Sequence, residues 1–230
     1  MSQKTIPKHI GIIMDGNRRW AKKHGYPSIR GHQQGLDTLV ETVEIAHQKG
    51  IKYITVYAFS TENWKRTPKE LNFLMNLTLK AFEKHISRMH EQNVKFLMMG
   101  SFEGLSEKIA AGFKNAETLT KNNTGIVFSV CFNYGGQQEI VDAVKNIISD
   151  KVNNSDIDVH KINNYLYHPE VPDIDLVLRT SGEMRLSNFM LWRSAYSEFI
   201  FFDILWPDFN ESYLDMAIKE YDKRQRRYGG

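Results

Sequence analysis

The chain has a single cysteine in 230 residues, so no disulfide can form within it. Cys131 lies in an apolar run and reads as a buried core thiol in a reducing compartment. No hydrophobic run approaches the ~20 residues needed to cross a bilayer. The greasiest cluster, Phe199 to Phe202, is interrupted by Asp203. Ser2 to Lys8 is polar, with no apolar segment ahead of a cleavage site, so no signal peptide is expected. The net charge is only +3, too mild for a general nucleic-acid binder. Internal repeats, low-complexity tracts and interdomain linkers are missing as well. Several reaction classes are excluded by missing motifs. There is no Gly-x-Ser-x-Gly elbow for a Ser-His-Asp hydrolase and no Gly-x-x-x-x-Gly-Lys-Ser/Thr nucleotide loop. Thr180-Ser181-Gly182 is not a dinucleotide fingerprint, and no His/Cys cluster has zinc spacing.

What remains is 41% hydrophobic and 25% charged, which suits one large α/β domain over residues 1–230. The most informative stretch is His9 to Trp20. Ile10 to Met14 reads as a buried parallel strand that stops at Asp15-Gly16-Asn17, with Arg18 and Arg19 just behind. Ligands of open α/β sheets bind outside the carboxyl ends of strands. Gly16 lets backbone approach a ligand closely, and guanidinium forks suit phosphate oxygens. A carboxylate among cations suits a Mg2+ ion that also touches phosphate. The plainer reading is a strand ending in an Asp-Gly turn with surface arginines.

Arginine is unevenly spread. Of eleven, only Arg88 falls between residues 67 and 178. Arg offers a planar fork that Lys lacks, so the segments flanking this gap are the candidate anion-binding segments. Between them the pattern alternates. A helix ends at Gly50, and Tyr53 to Phe59 is a strand. Thr67-Pro68-Lys69-Glu70 starts a long helix to about Gln92 that is apolar on more than one side. That extra side is either core or the wall of an apolar cavity. Strands follow at Val94–Met99, Ile126–Phe132, Asp175–Leu178 and Phe199–Phe202. Helices lie over Ser106–Leu119, Gln137–Ser149, Lys161–Tyr167 and Asn210 to about Arg226. Such alternation implies right-handed crossovers and a mainly parallel, six-stranded sheet flanked by helices. Loops after its first, second and fifth strands share one edge. They gather Asp15, Asn17, Arg18, Arg19, Arg30, His32, Asn63, Arg66, Arg179, Arg185, Ser187 and Glu198. Cations and hydrogen-bond donors dominate this set, which suits diphosphates and one divalent ion beside a greasy wall.

Several long motifs, in order, give the chain a close resemblance to the cis-prenyltransferases, the family of undecaprenyl diphosphate synthase. They are His9 to Ala21, Gly31-His32, Tyr57 to Trp64, Arg66 and Glu70, then Asn133-Tyr134-Gly135-Gly136. The series continues with Arg179 to Glu183, Arg185, Ser187-Asn188-Phe189, Trp192, Tyr196, Glu198, Trp206 to Phe209 and Arg226 to Gly230. The resemblance implies a Mg2+-dependent homodimer that adds isopentenyl diphosphate to an allylic diphosphate such as farnesyl diphosphate. A polyprenyl lipid-carrier precursor grows in an apolar tunnel. Asp15 would hold Mg2+ and organise the allylic diphosphate, and Glu198 would be a second Mg2+-linked carboxylate. Asn17, Arg19 and His32 would handle diphosphate or proton. Arg179, Arg185 and Ser187 would bind isopentenyl diphosphate. Ser60, Asn63, Trp64, Arg66 and Glu70 would hold and close over substrates, Asn63 beside Asp15 in the catalytic set. Gly16, Arg18, Trp20, Ser28, Arg30, Thr61 and Glu62 complete the substrate-binding positions. The family's Arg-x-Gly tail, which serves the partner's site, is matched by Arg227-Tyr228-Gly229.

Plainer roles stand beside some of these. Glu70 fits a capping box, Trp20 and Trp192 fit packing, Glu62 a solvated loop charge and His32 a surface position ahead of a helix. Ser28 stands where the family commonly has arginine, and Arg30 is two residues on. The implied setting is cytoplasmic, with peripheral contact at the inner membrane face. Rival readings are a non-catalytic partner subunit of a heteromeric prenyltransferase, and a phosphatase or nucleotide-binding protein on a similar sheet.

Overall fold

The computed structural model describes residues 5–224. Six strands form one sheet: β1 (His9–Ile13), β2 (Tyr53–Ser60), β3 (Lys95–Met99), β4 (Val127–Tyr134), β5 (Leu176–Arg179) and β6 (Glu198–Phe201). Their order is β3-β4-β2-β1-β5-β6, and every neighbouring pair is parallel. Seven helices cover the faces: α1 (Asn17–Lys23), α2 (Ser28–Gln48), α3 (Pro68–Glu91), α4 (Glu107–Thr120), α5 (Gly136–Ser149), α6 (Val159–Asn163) and α7 (Glu211–Lys223). The parallel, six-stranded, single-sheet architecture expected from the sequence is the one observed. Among the described residues, no helix is long and apolar enough to cross a membrane.

β1 explains where the chemistry sits. All five of its residues are buried, as a central parallel strand requires. From β1 the chain crosses toward β2 on one side, and from β5 it crosses toward β6 on the other. The divergence opens a crevice between the carboxyl ends of β1 and β5, the usual ligand position in such sheets.

Some element boundaries differ from the sequence reading, each for a physical reason. Most of residues 17–30, expected in the loop after the first strand, are helical: α1 occupies 17–23 and α2 begins at Ser28, with 24–27 between them. Neither helix has a side-chain cap. α1 instead starts from Gly16 in the left-handed region at φ 110°, and Pro27 precedes α2. β4 runs on through Asn133 and Tyr134, which the Gly135-Gly136 pair had suggested were a turn. β5 ends with Arg179 rather than before it. α6 is shorter than expected and shifted to 159–163. Cys131 is fully buried in β4, as expected.

The long helix does start as its sequence indicates, with Thr67 accepting from the Glu70 N–H at 3.4 Å and Pro68 in the first turn. Yet only His85 and Met89 of its 24 residues are buried. Leu71, Leu74, Met75, Leu79, Phe82 and Ile86 pack on the core while Leu74, Leu77, Ala81 and Phe82 also line a cavity, so α3 serves as both core and cavity wall.

A separate cluster ties the loop after α6 to α4. His168 lies between Glu117 and Glu170, each at 3.2 Å. Burial alone would lower its pKa, but the Glu117 hydrogen bond and the charge of Glu170 outweigh it, and the net shift is upward. A raised folded-state pKa stabilises fully below the unfolded value and is lost as pH rises through the folded one. Stability measured by urea denaturation should therefore fall by no more than about 1 kcal/mol across that window. His168→Gln should remove this component of the pH dependence. An unchanged profile in the variant would show that the pair carries none of it.

Candidate active site

Asp15 leaves β1 into the crevice with its backbone fixed by distant residues. Its N–H donates to Thr180 Oγ1 at 3.1 Å, and the Thr180 hydroxyl donates back to the Asp15 carbonyl at 2.6 Å. The Trp206 N–H donates to the same carbonyl at 3.0 Å. Gly16 is needed next, because a Cβ there would meet Leu205 at 2.9 Å in a backbone state that L residues rarely adopt. The carboxylate then faces two arginines, with Arg179 at 2.8 Å from Oδ2 and Arg19 at 3.5 Å from Oδ1. Burial would raise the Asp15 pKa, but the Arg179 hydrogen bond and the charges of Arg179 and Arg19 prevail and lower it. The carboxylate is therefore ionised at neutral pH.

Arg179 is almost wholly buried. It also donates to Ser187 Oγ at 2.9 Å and to the Arg185 carbonyl, and its Nε has no partner. Arg19 donates to the Ser181 carbonyl at 3.1 Å and hydroxyl at 2.5 Å, and lies 3.4 Å from Glu183, which pairs with Arg185. Glu70 joins Arg66 at 2.9 Å and Arg18 at 3.8 Å. Only the backbone half of its expected capping box forms, because the carboxylate turns to these two guanidiniums.

Three spaces meet here. One polar cleft is lined by Asp15, Tyr57, Ser60, Glu62, Asn63, Arg66, Arg179, Ser187 and Asn188. A second is lined by Asp15, Gly16, Arg18, Arg19, Lys22, Ser28 and Arg66. The third is the apolar cavity of about 970 Å3, its open mouth included, between α3, α2 and the sheet. Met14, Asn17 and His32 line all three. At this junction Asn17 Oδ1 and His32 Nε2 are buried without partners. Burial, and then the Arg66 charge, lower the His32 pKa to about 4, so the imidazole is neutral.

A 3-10 turn over Thr61–Lys65 closes one side. Asn63 Oδ1 accepts from the Ser60 N–H at 3.2 Å, completing a reciprocal cap. Trp64 donates to Asn133 Oδ1 at 2.7 Å, which gives the Asn133-Tyr134-Gly135-Gly136 motif one task. Glu62 is not simply a solvated charge, since it accepts from Asn188 Nδ2 at 3.1 Å. Asn188 also receives the Gln137 and Gly136 N–H groups. A Cβ at Gly135 would meet its side chain at 2.8 Å. Ser181, Ser187, Asn188 and Met190 all have positive φ, a concentration of costly backbone states beside a binding cleft.

Other expected site residues fall elsewhere. Trp20 donates to Asp208 at 2.7 Å and leans on His24 and Tyr26, contacts that fit the packing reading. Trp192 likewise donates to Asn163. Arg30 is exposed and does not border these clefts, whereas Arg18 and Ser28 do. Glu198 is displaced most. It begins β6, level with Leu176 and hence with Ile10, and pairs with Arg224 at 2.8 Å. Asp15 lies five residues beyond that level, about 16 Å along the strands. Within one chain the two carboxylates are therefore too far apart to share an ion. Arg227 lies outside the described residues. Thr180, Ser181, Tyr57 and Asn188 emerge as site residues without a role assigned from sequence. Their only signal was membership in motifs already quoted.

Among the described residues no group of three or more His, Cys, Asp or Glu side chains converges on a metal position. Asp15 alone still fits Mg2+, which is commonly held by one or two carboxylates with substrate phosphates and waters completing its shell.

An all-parallel sheet whose cation-lined crevice opens into an apolar cavity suits molecules with an anionic head and a hydrocarbon tail. The family model described as putative undecaprenyl diphosphate synthase matches residues 13–229, and the chain belongs to that prenyltransferase family. It is 48% identical to an isoprenyl transferase of Thermotoga maritima over 98% of this chain and 97% of the relative. It is 49% identical to an isoprenyl transferase of Streptococcus pyogenes, over 98% and 94%. Among solved structures, lavandulyl diphosphate synthase from Lavandula x intermedia, in complex with dimethylallyl diphosphate, superposes with a TM-score of 0.94. The identity is 33%, over 98% of this chain and 99% of that one. A probable undecaprenyl diphosphate synthase from Campylobacter jejuni superposes with a TM-score of 0.84 at 29% identity, over 98% and 100%. The expected family and fold are thus the observed ones.

Proposed function

We propose that this prenyltransferase lengthens an allylic diphosphate by repeated addition of isopentenyl diphosphate with cis geometry, using Mg2+. The observation that carries the reading is the junction at Asn17 and His32, where cation-lined clefts meet an apolar cavity. A diphosphate leaves readily only when its developing charge is matched. Asp15 would hold Mg2+, which supplies Lewis-acid neutralisation of the leaving group. Arg19 and Asn17 orient the allylic diphosphate, while Arg179, Arg185 and Ser187 orient isopentenyl diphosphate. Neutral His32 can donate one N–H or take one proton without adding charge beforehand. The cavity then receives the lengthening chain, gaining about 0.8 kcal/mol per buried CH2.

Asp15 and Asn17, which a non-catalytic partner subunit would not need, favour an active chain. The reading includes a homodimer, with Arg227 reaching the partner's site, and peripheral contact with the inner membrane face. Radiolabelled isopentenyl diphosphate with farnesyl diphosphate and Mg2+ should yield extractable polyprenyl product. Absence of incorporation would overturn the reading. Ala81 sits on the cavity face of α3. Ala81→Phe should shorten the products by several isoprene units while the first condensation continues, read by chromatography of the dephosphorylated products. Unshortened products would assign that face of α3 to ordinary packing.

A further inference from the structure

We propose that His85 sets product length, acting through the polarity of its imidazole at the deep end of the apolar cavity. The inference rests on the prenyl-elongation reading above. Leu74 borders both the cavity and the polar cleft of Asp15, so it marks the mouth. His85 lies on the same helix eleven residues further, about 16 Å at 1.5 Å per residue. Further along the helix the cavity lining is apolar, with Ile86 and Met89, and Phe96 and Phe113 pack on Phe82 just before His85.

The polar groups of this cavity are not alike. Asn17 and His32 are at the mouth, and the Thr78 hydroxyl is spent on the Leu74 carbonyl at 3.0 Å. His85 is 8% exposed, and its Nε2 is buried with no hydrogen-bond partner. The residues beside it face outward: Lys84 lies 3.8 Å from Asp37, and Arg88 2.8 Å from Glu44. These pairs fasten α3 to α2 on the solvent side and leave the imidazole bordering the cavity. Burial, then the Lys84 charge, lower its pKa, which keeps the ring neutral.

Buried polar atoms without a protein partner are normally satisfied by water. A hydrocarbon that grows up to His85 covers apolar wall and gains at each step. To pass His85 it must strip the water from Nε2 and return no hydrogen bond. The gain per added unit drops at that point, and chain lengths gather there.

Polarity and bulk are separable by substitution. Leucine is similar in size to histidine but presents no polar atom, whereas glutamine retains hydrogen-bonding groups. With farnesyl diphosphate, isopentenyl diphosphate and Mg2+, His85→Leu should shift the product distribution longer by at least one isoprene unit. His85→Gln should keep the wild-type distribution. Lengths are read by mass spectrometry of the dephosphorylated products, normalised to product formed. If the leucine variant proves insoluble, His85→Met is scored by the same criterion. Wild-type lengths in the apolar variant, or equal lengthening in His85→Gln, overturn the proposal. Wild-type protein that incorporates no isopentenyl diphosphate overturns the function itself. Incorporation with unchanged lengths overturns only the role of His85.

Discussion

Asp15→Asn should lower turnover about a thousandfold, the loss expected when a group that matches transition-state charge is removed. The carboxamide oxygen still accepts from Arg179, which also keeps the Arg185 carbonyl and Ser187. The Thr180 and Trp206 hydrogen bonds use only the Asp15 backbone. The melting temperature should therefore fall less than in Asp15→Ala. Asp15→Ala is a poorer test, because it removes the hydrogen-bond acceptor as well as the charge from a nearly fully buried guanidinium and mixes more stability loss into the result. Turnover of Asp15→Asn within tenfold of the parent at saturating Mg2+ would remove Asp15 from the catalytic set.

Gly31→Ala should damage both stability and turnover, although alanine is ordinarily preferred to glycine inside a helix by about 1 kcal/mol. Gly31 sits in α2 against α1, and an added Cβ would stand 2.0 Å from the Asn17 carbonyl oxygen and 3.2 Å from Ala21. The nearest atom is backbone, so no side chain can rotate away. One turn on, a Cβ at Gly35 would meet Asn17 Oδ1 at 2.2 Å and Trp206 at 3.0 Å. The two glycines let α1 lie close enough to put Asn17 at the junction. Overpacking of this kind costs about 3 kcal/mol, which for a chain of this size lowers the melting temperature by roughly 10 °C. Turnover should fall as well, because Asn17 is displaced. A melting temperature equal to or above the parent's would mean that α1 and α2 separate freely and that the close approach is dispensable.

Periodicity and punctuation made the sheet legible from sequence, and they failed where local signals were weak. β2, α3, α4 and α7 announce themselves through apolar runs or through the caps Thr67, Ser106 and Asn210. α1 does not, because Gly16 starts it and arginines fill its first turn. Asp15, Arg19, Arg66 and Arg179 were legible as an anion-binding set from residue type and the arginine gap. That Asp15 and Arg179 would touch follows from β1 pairing with β5, a contact between residues 164 positions apart. Glu198 shows the opposite limit. It too borders a strand, but at the amino end, where the expected strand from Phe199 already puts it; grouping it with the loops after the fifth strand overlooks the length of chain between them. Thr180 and Asn188 carry no charge to draw notice, and their work is to hold other residues through hydrogen bonds.

The fastening of Asp15 by Thr180 and Trp206 also sets a timetable for synthesis. A ribosome adds about 5–20 residues per second, so the segment bearing Asp15 emerges roughly ten seconds or more before Trp206 exists to hold it. Until then β1 has β2 on one side and an open edge where β5 will pair. Long-range parallel pairing of this kind is intrinsically slow. The nascent chain thus carries the Asp15 carboxylate through most of translation without the bonds that aim it. Catalytic competence appears only when the final quarter of the polypeptide has docked.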